Sequence, residues 1–214
     1  KNCQVIENWA PLDEITPQPK RNAWSLEQGC AEEFCFLYAG TLGLKHNPEL
    51  LAALAEALPA SSSARVIVAS HGLGADYLAQ QKRARNLARL TLLPFQPYAD
   101  LPLMLGAADI AIAMLEPEAG VFSVPSKVLS YFSAGRPILG AMPRENLAAR
   151  LIARDQARAV VDPADKDGFV AAALALRTAD LEAMSRRARA YAERAFAIGP
   201  IADRFEAVMR QIRR

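Results

Sequence analysis

Four short stretches of this chain carry residue types suited to chemistry. The first is "YAGTLGLKHNPEL", Tyr38 to Leu50. Its Gly40, Thr41 and Gly43 permit a tight turn and close backbone approach to a ligand, and Lys45 adds a mobile positive charge. That shape suits a phosphate. It matches neither the GxxxxGK[ST] loop nor the GxGxxG fingerprint, so ATP hydrolysis and NAD binding lose their usual signatures. The second stretch, "VPSKVLSYFSAGRPIL", Val124 to Leu139, sets Lys127 in the first turn of a short helix. The helix macrodipole is positive at that end and disfavours a cation unless an anion shares the site. Ser126 reads as the N-cap, Gly135 as the residue that ends the helix and Pro137 as the block to continuation. Val128, Leu129 and Phe132 share an apolar face, while Lys127 and Ser130 share the other. Ser126, Lys127 and the free N–H groups of the first turn together offer hydrogen bonds and charge to a phosphate.

The third stretch, "LLPFQPYADLP", places Phe95 and Tyr98 where their rings either hold a base or, for Phe95, simply cover the core. In the fourth, "ASHGLGADYL", His71 stands beside Gly72 and Gly74. A lone loop histidine of this kind reads as structural or solvated.

These loops need elements to position them, and the hydrophobic pattern supplies a repeated strand-helix unit. Apolar strand patterns at 34–40, 64–70, 90–93, 108–115, 137–139 and 158–161 alternate with helical ones at 48–58, 74–86, 98–108, the Val124 stretch and 145–155. Three further helices are predicted near 165–177, 180–196 and 200–212. Continuous apolar strands joined by helices require a parallel sheet covered on both faces. The fold class is therefore α/β, a Rossmann-like doubly wound parallel sheet of about six strands. Ligands of such sheets bind outside the carboxyl ends of the strands, where all four stretches fall. Residues 1–30 hold little periodicity and read as an arriving segment with one short strand near Gln4–Ile6; 31–197 form the sheet domain and 198–214 a terminal helix.

Composition narrows the function classes. The chain has 214 residues, is 52% hydrophobic and carries a formal charge of +2, which makes it globular and removes any need for a nucleic-acid partner. Cys3, Cys30 and Cys35 are odd in number and form no CxxC pair, so neither a disulfide framework nor a zinc site is expected, and a reducing cytoplasm fits. No metal is expected. The longest apolar run is broken by Asp109 and falls short of the roughly 20 residues a membrane helix needs. Asp165 and Asp167 spell Asp-x-Asp, yet they precede a helix, where acidic residues suit the dipole. Arg210, Arg213 and Arg214 read as a solvated helix end. The opening residues read as the middle of a longer protein.

The order "FLYAGTLGLKHNPELLAAL", "LPFQPYADLPLMLGAADIAIA", "VPSKVLSYFSAGRPILG" and "ARAYAERAF" resembles the C-terminal half of GT-B glycosyltransferases of family 4. The nearest flavour is the bacterial fucosyl and N-acetylfucosamine transferases of surface-polysaccharide assembly, and "VIENWAP" resembles that family's interdomain segment. The resemblance implies a donor domain for a nucleotide-diphosphate sugar, UDP preferred over GDP, in a retaining and metal-independent transferase without a cofactor. By motif position the Gly40 to Lys45 loop faces the diphosphate, Phe95 and Gln96 flank the base, and Lys127 meets phosphate oxygens. Lys45 and Lys127 then stabilise the leaving group. The loop of Gly120, Val121, Phe122 and Ser123 offers backbone amides to the donor sugar. Many members carry paired glutamates, the second just before the position that is Tyr131 here; this chain has Phe122 and Ser130 instead, with Glu116 and Glu118 near the first. Ser130 can still hydrogen-bond a ribose hydroxyl, without the charge. The expected partners are the nucleotide sugar and an N-terminal acceptor domain of the same protein, through which any peripheral attachment to the inner face of the membrane would run. Alone, the fragment is expected to bind but barely to catalyse. Half of a sugar-nucleotide epimerase, or a flavodoxin-like regulatory module, would share the strand-helix order; the latter would not need Gly43, Lys45, Ser126 and Lys127 to converge.

Overall fold

The computed structural model describes residues 4–116, 125–155 and 160–212. Each strand expected from an apolar run forms: β1 (Phe34–Ala39), β2 (Ala64–Ala69), β3 (Leu90–Leu93), β4 (Ile110–Met114), β5 (Ile138–Ala141) and β6 (Val160–Val161). All pair in parallel in the order β3-β2-β1-β4-β5-β6. Central β1 and β4 are apolar on both faces because helices cover both sides, and every residue of β4 is buried. The helices are α1 (Ala23–Glu27), α2 (Glu49–Glu56), α3 (Leu73–Ala84), α4 (Leu101–Ala107), α5 (Ser126–Ser133), α6 (Leu147–Asp155), α7 (Lys166–Leu176), α8 (Leu181–Ala195) and α9 (Ile198–Ile212).

The chain leaves β1 toward β2 and later returns to pair β4 on the other side of β1, so the winding reverses between these two strands. Their pairing covers only Phe36 with Ile110 and Leu37 with Ala111. Beyond that the strands separate, and the buried Tyr131 hydroxyl of α5 occupies the gap. It accepts from the Ala39 N–H at 3.3 Å and lies 3.3 Å from the Ile112 carbonyl. One phenol thus satisfies backbone groups that the diverging strands leave unpaired.

Three local expectations are corrected. Ser126 is the first helical residue and Pro125 the N-cap, with no side-chain cap bond; proline's fixed φ enters the helix well but brings no acceptor. The helical pattern at 48–58 is shorter in the structure: the first loop passes through a 3-10 turn over Leu44–His46 and a left-handed Asn47 at φ 53°, and α2 spans Glu49–Glu56. No strand forms among the described residues of 4–30, since Gln4–Ile6 has no neighbouring edge to pair with. That segment instead carries α1, closed by a capping box in which Asn22 accepts from the Ser25 N–H and Ser25 from the Asn22 N–H. As expected, Gly135 ends α5 at φ +61° and Asp165 caps α7 by accepting from the Gly168 N–H at 2.8 Å.

The arriving segment is bound into the domain through its main chain. The Ala10 N–H donates to Phe196, Arg136 donates to the Gln18 carbonyl at 2.9 Å, and Lys20 pairs with Asp109. Arg189 of α8 donates to the carbonyls of Leu12, Ile15 and Ser133, at 3.3, 3.2 and 2.7 Å. Replacing it by alanine would strand these part-buried acceptors, so Arg189→Ala should cost about 2–3 kcal/mol. A urea unfolding curve measures this, and a loss within error would show that water replaces the guanidinium.

Candidate functional site

A cavity of about 600 Å³ opens where β1 and β4 part, walled by the Gly40 turn, the N-terminal turn of α5 and the Phe95 loop. Four stretches distant in sequence meet there because each follows the carboxyl end of a strand or starts the helix beside it.

Lys127 dominates its electrostatics. Its ammonium stands 3.7 Å from the centroid of the buried Tyr38 ring and has no hydrogen-bond or ion-pair partner among the described residues. Burial pulls its pKa down to about 7, so near neutrality the charge is poised rather than fixed. Gly40 makes room for it: φ is +120°, and a Cβ there would lie 3.2 Å from Lys127 Nζ. The Val128 N–H bonds the Pro125 carbonyl, whereas the amides of Ser126 and Lys127 meet no backbone acceptor among the described residues. A cation and the first-turn amides of Ser126 and Lys127, unbonded among the described residues, therefore share one end of the cavity, an arrangement that suits an anion. The unfavourable placement of Lys127 on the dipole is thus only partly offset by a π face in the free protein.

His46 also faces the cavity, a residue the sequence reading passed over. Its Nδ1 accepts from the Gly43 N–H at 3.1 Å, which leaves Nε2 carrying the proton of the neutral ring. Burial, then the nearby Lys127, hold its pKa below the ordinary histidine value. The same bond occupies the Gly43 amide that was expected to approach a phosphate. Lys45 lies outside the cavity wall, exposed, and pairs with Glu116 at 3.0 Å. The other carboxylate oxygen of Glu116 is buried without a partner among the described residues.

The opposite wall is aromatic and amphipathic. Phe95 is exposed, which removes the core-lid reading, and its ring meets His71 at 4.8 Å between centroids. Gln96 accepts from Trp24 Nε1 at 3.2 Å, and its own amide donates to the Pro94 carbonyl. Tyr98 donates to the Glu14 carboxylate at 2.6 Å. The arriving segment thus braces this wall at two points, which no local motif announces. Thr41, Ser126 and Ser130 complete the lining. Of the expected residues, Gly40, Thr41, Phe95, Gln96, Ser126, Lys127 and Ser130 come together; Gly43 and Lys45 stand at the margin. Glu118, Gly120, Val121, Phe122 and Ser123 lie outside the described residues. Cys30 and Cys35 are free thiols buried away from the cavity, and no cluster of three or more potential metal ligands gathers among the described residues.

A parallel sheet in this order, with an anion-suited cavity at its reversal point, defines a Rossmann-type α/β domain. The chain belongs to the glycosyl transferases group 1 family, whose model matches residues 33–179. Among solved structures it is similar to HepE of Anabaena in complex with UDP, at a TM-score of 0.81 and 16% identity over 97% of this chain. Sucrose-phosphate synthase of Thermosynechococcus elongatus is similar at 0.77 and 17% identity over 98% of this chain. At these identities the likeness concerns the fold. The chain spans 57% of the HepE chain and 52% of the synthase. By contrast it covers 98% of the C-terminal domain of a group 1 glycosyl transferase family protein, LpcC, from Francisella tularensis, at 0.68 and 11% identity over 87% of this chain. No protein of curated function matches.

Proposed function

We propose that this chain is the donor-binding domain of a retaining, metal-independent glycosyltransferase of bacterial surface-polysaccharide assembly, and that its ligand is a nucleotide-diphosphate sugar, UDP before GDP. The observation that carries the proposal is the Lys127 ammonium, without an ion-pair partner among the described residues, at the N-terminal turn of α5 inside the cavity where β1 and β4 part. A diphosphate there receives the ammonium and the amides of Ser126 and Lys127. The same groups stabilise negative charge as the sugar–phosphate bond breaks, so leaving-group stabilisation needs no other cation. Lys45 is a second, mobile charge once it leaves Glu116. The aromatic wall of Phe95 and Gln96 takes the base.

Support for the donor comes from relatives of this fold solved with UDP and with UDP-glucose. Support for the pathway comes from the similar WaaG, a glycosyltransferase involved in lipopolysaccharide biosynthesis, at a TM-score of 0.67 and 17% identity over 89% of this chain. A fucosyl or N-acetylfucosamine donor rests on the motif resemblance. On this reading the acceptor site belongs to a further domain, which the chain's span of 57% of the HepE chain supports, and the 214 residues alone bind without turnover. We place it in the cytoplasm, with any membrane contact made by that further domain; no described helix is long and apolar enough to cross a membrane. Titration calorimetry with UDP, GDP and ADP tests the reading. Binding of UDP ahead of the other two is expected, and silence with all three would falsify it.

A further inference from the structure

On the far side of α5's first turn lies a second hollow, of about 300 Å³, lined by Asn8, Trp9, Pro11, Ser126, Leu129 and Ser130. Ser126 and Ser130 also line the main cavity. These two positions stack one helical turn apart, between the Lys127–Tyr131 stripe on one side and Leu129 on the other. The partition between the hollows is therefore a ridge of two small hydroxyl side chains, low enough for one ligand to lie across.

The hollow's chemistry is specific. Trp9 leaves 51% of its surface exposed, whereas Trp24, the other tryptophan, is buried. Among the described residues the side chains of Asn8, Ser126 and Ser130 make no hydrogen bond, so an amide and two hydroxyls face the hollow beside an exposed indole. Such a set fits a sugar ring: one face of the ring is C–H and lies on an aromatic plane, and its edge is hydroxyl. The platform is also held in place. Ala10, the next residue, is buried and donates its N–H to the Phe196 carbonyl at 2.9 Å, and Pro11 fixes the backbone after it.

We propose that Trp9 and Asn8, with Ser126 and Ser130, form a subsite for a sugar ring of the ligand whose diphosphate meets Lys127. The inference rests on the donor reading above and adds to it Trp9 and Asn8, two residues which that reading does not use. Two rings of a nucleotide sugar share the required chemistry, the ribose and the transferred hexose.

The test uses the 214-residue chain with Trp9→Ala and Trp9→Phe, titrated by calorimetry with UDP, UDP-glucose and UDP-N-acetylglucosamine. Melting temperatures are recorded alongside. Loss of the ring face should weaken binding about five- to tenfold in Trp9→Ala, while Trp9→Phe, which keeps an aromatic face, stays within about twofold of the parent. Equal weakening for all three ligands assigns the ribose. Weakening confined to the sugar nucleotides assigns the hexose. Either supports the subsite. Unchanged affinities in Trp9→Ala, with the parent binding normally, overturn it and leave nucleotide binding intact. Equal loss in both variants together with a lowered melting temperature overturns it as well, because Trp9 would then act only in packing. A parent that binds none of the three removes both readings.

Discussion

Lys127→Met weakens nucleotide-diphosphate binding about 10- to 100-fold while the protein melts higher than its parent. The two halves of this result have one cause. In the free protein the half-buried ammonium stands at the wall of the cavity over Tyr38, with no ion-pair partner among the described residues. Its pKa, about 7, lies below the 10.5 of an unfolded lysine. The unfolded chain therefore binds more protons between these values, and the stability of the parent rises with pH across that window. Below it the burial penalty is fully present, so the gain from methionine is largest near pH 6 and has faded by pH 10. Binding carries the opposite dependence. An anion draws a proton onto Lys127, so the affinity of the parent for UDP-glucose falls as pH climbs above about 7, by up to about tenfold per unit, and the variant's profile is flat. UDP-glucose is the probe of choice because its diphosphate diester does not itself titrate there. His46 does not confuse the profile, since its pKa is depressed from the ordinary histidine value and it titrates below the window. Calorimetry in buffers of different ionisation heat counts the proton directly. A parent that takes up none at pH 8 refutes this account.

Phe132→Ala should cost about 3–5 kcal/mol, the largest stability loss expected from a single change at α5. Phe132 is fully buried, with its ring 5.6 Å from Tyr191 and 6.1 Å from Phe196. The latter two rings meet edge to face at 5.4 Å. The trio joins α5 to α8 and to the residue whose carbonyl holds Ala10, so a cavity there loosens the seat of the helix that presents Lys127. Ligand affinity should fall as well, though less than stability. Denaturant midpoints for Phe132→Ala and the milder Phe132→Leu give the check. Equal midpoints for parent and alanine variant would show that the helix is seated by other contacts.

Much of this architecture was legible in the sequence for a physical reason. A strand buried on both faces must be apolar at every position, and "FCFLYA" and "IAIAM" are. The limits of α5 were nearly as plain, because proline and glycine act through backbone geometry that travels with the residue. Lys127 stood out by conflict with the dipole, and the structure supplies the π face that partly offsets it. The residues that escaped notice act at long range. Arg189 reaches carbonyls at residues 12 and 15, and Trp24 reaches Gln96, contacts in which a side chain meets a partner with no sequence signature. The reading of residues 1–30 as an arriving segment overlooked these ties, since low periodicity says how a stretch is built and not what it is fastened to. His46 was invisible for the same reason. Its bond to Gly43 depends on a 3-10 turn that "LKHN" does not announce.

The brace between Trp24 and Gln96, with that between Glu14 and Tyr98, has a mechanical meaning. The stretch that carries Trp9, Glu14 and Trp24 is riveted to the sheet domain at Ala10, Gln18 and Lys20, so a force applied ahead of residue 9 is borne by a strip of chain that also braces the cavity wall. Only once Ala10 lets go of Phe196 would tension pass to Glu14 and Trp24, and through them to the Phe95–Tyr98 wall of the cavity.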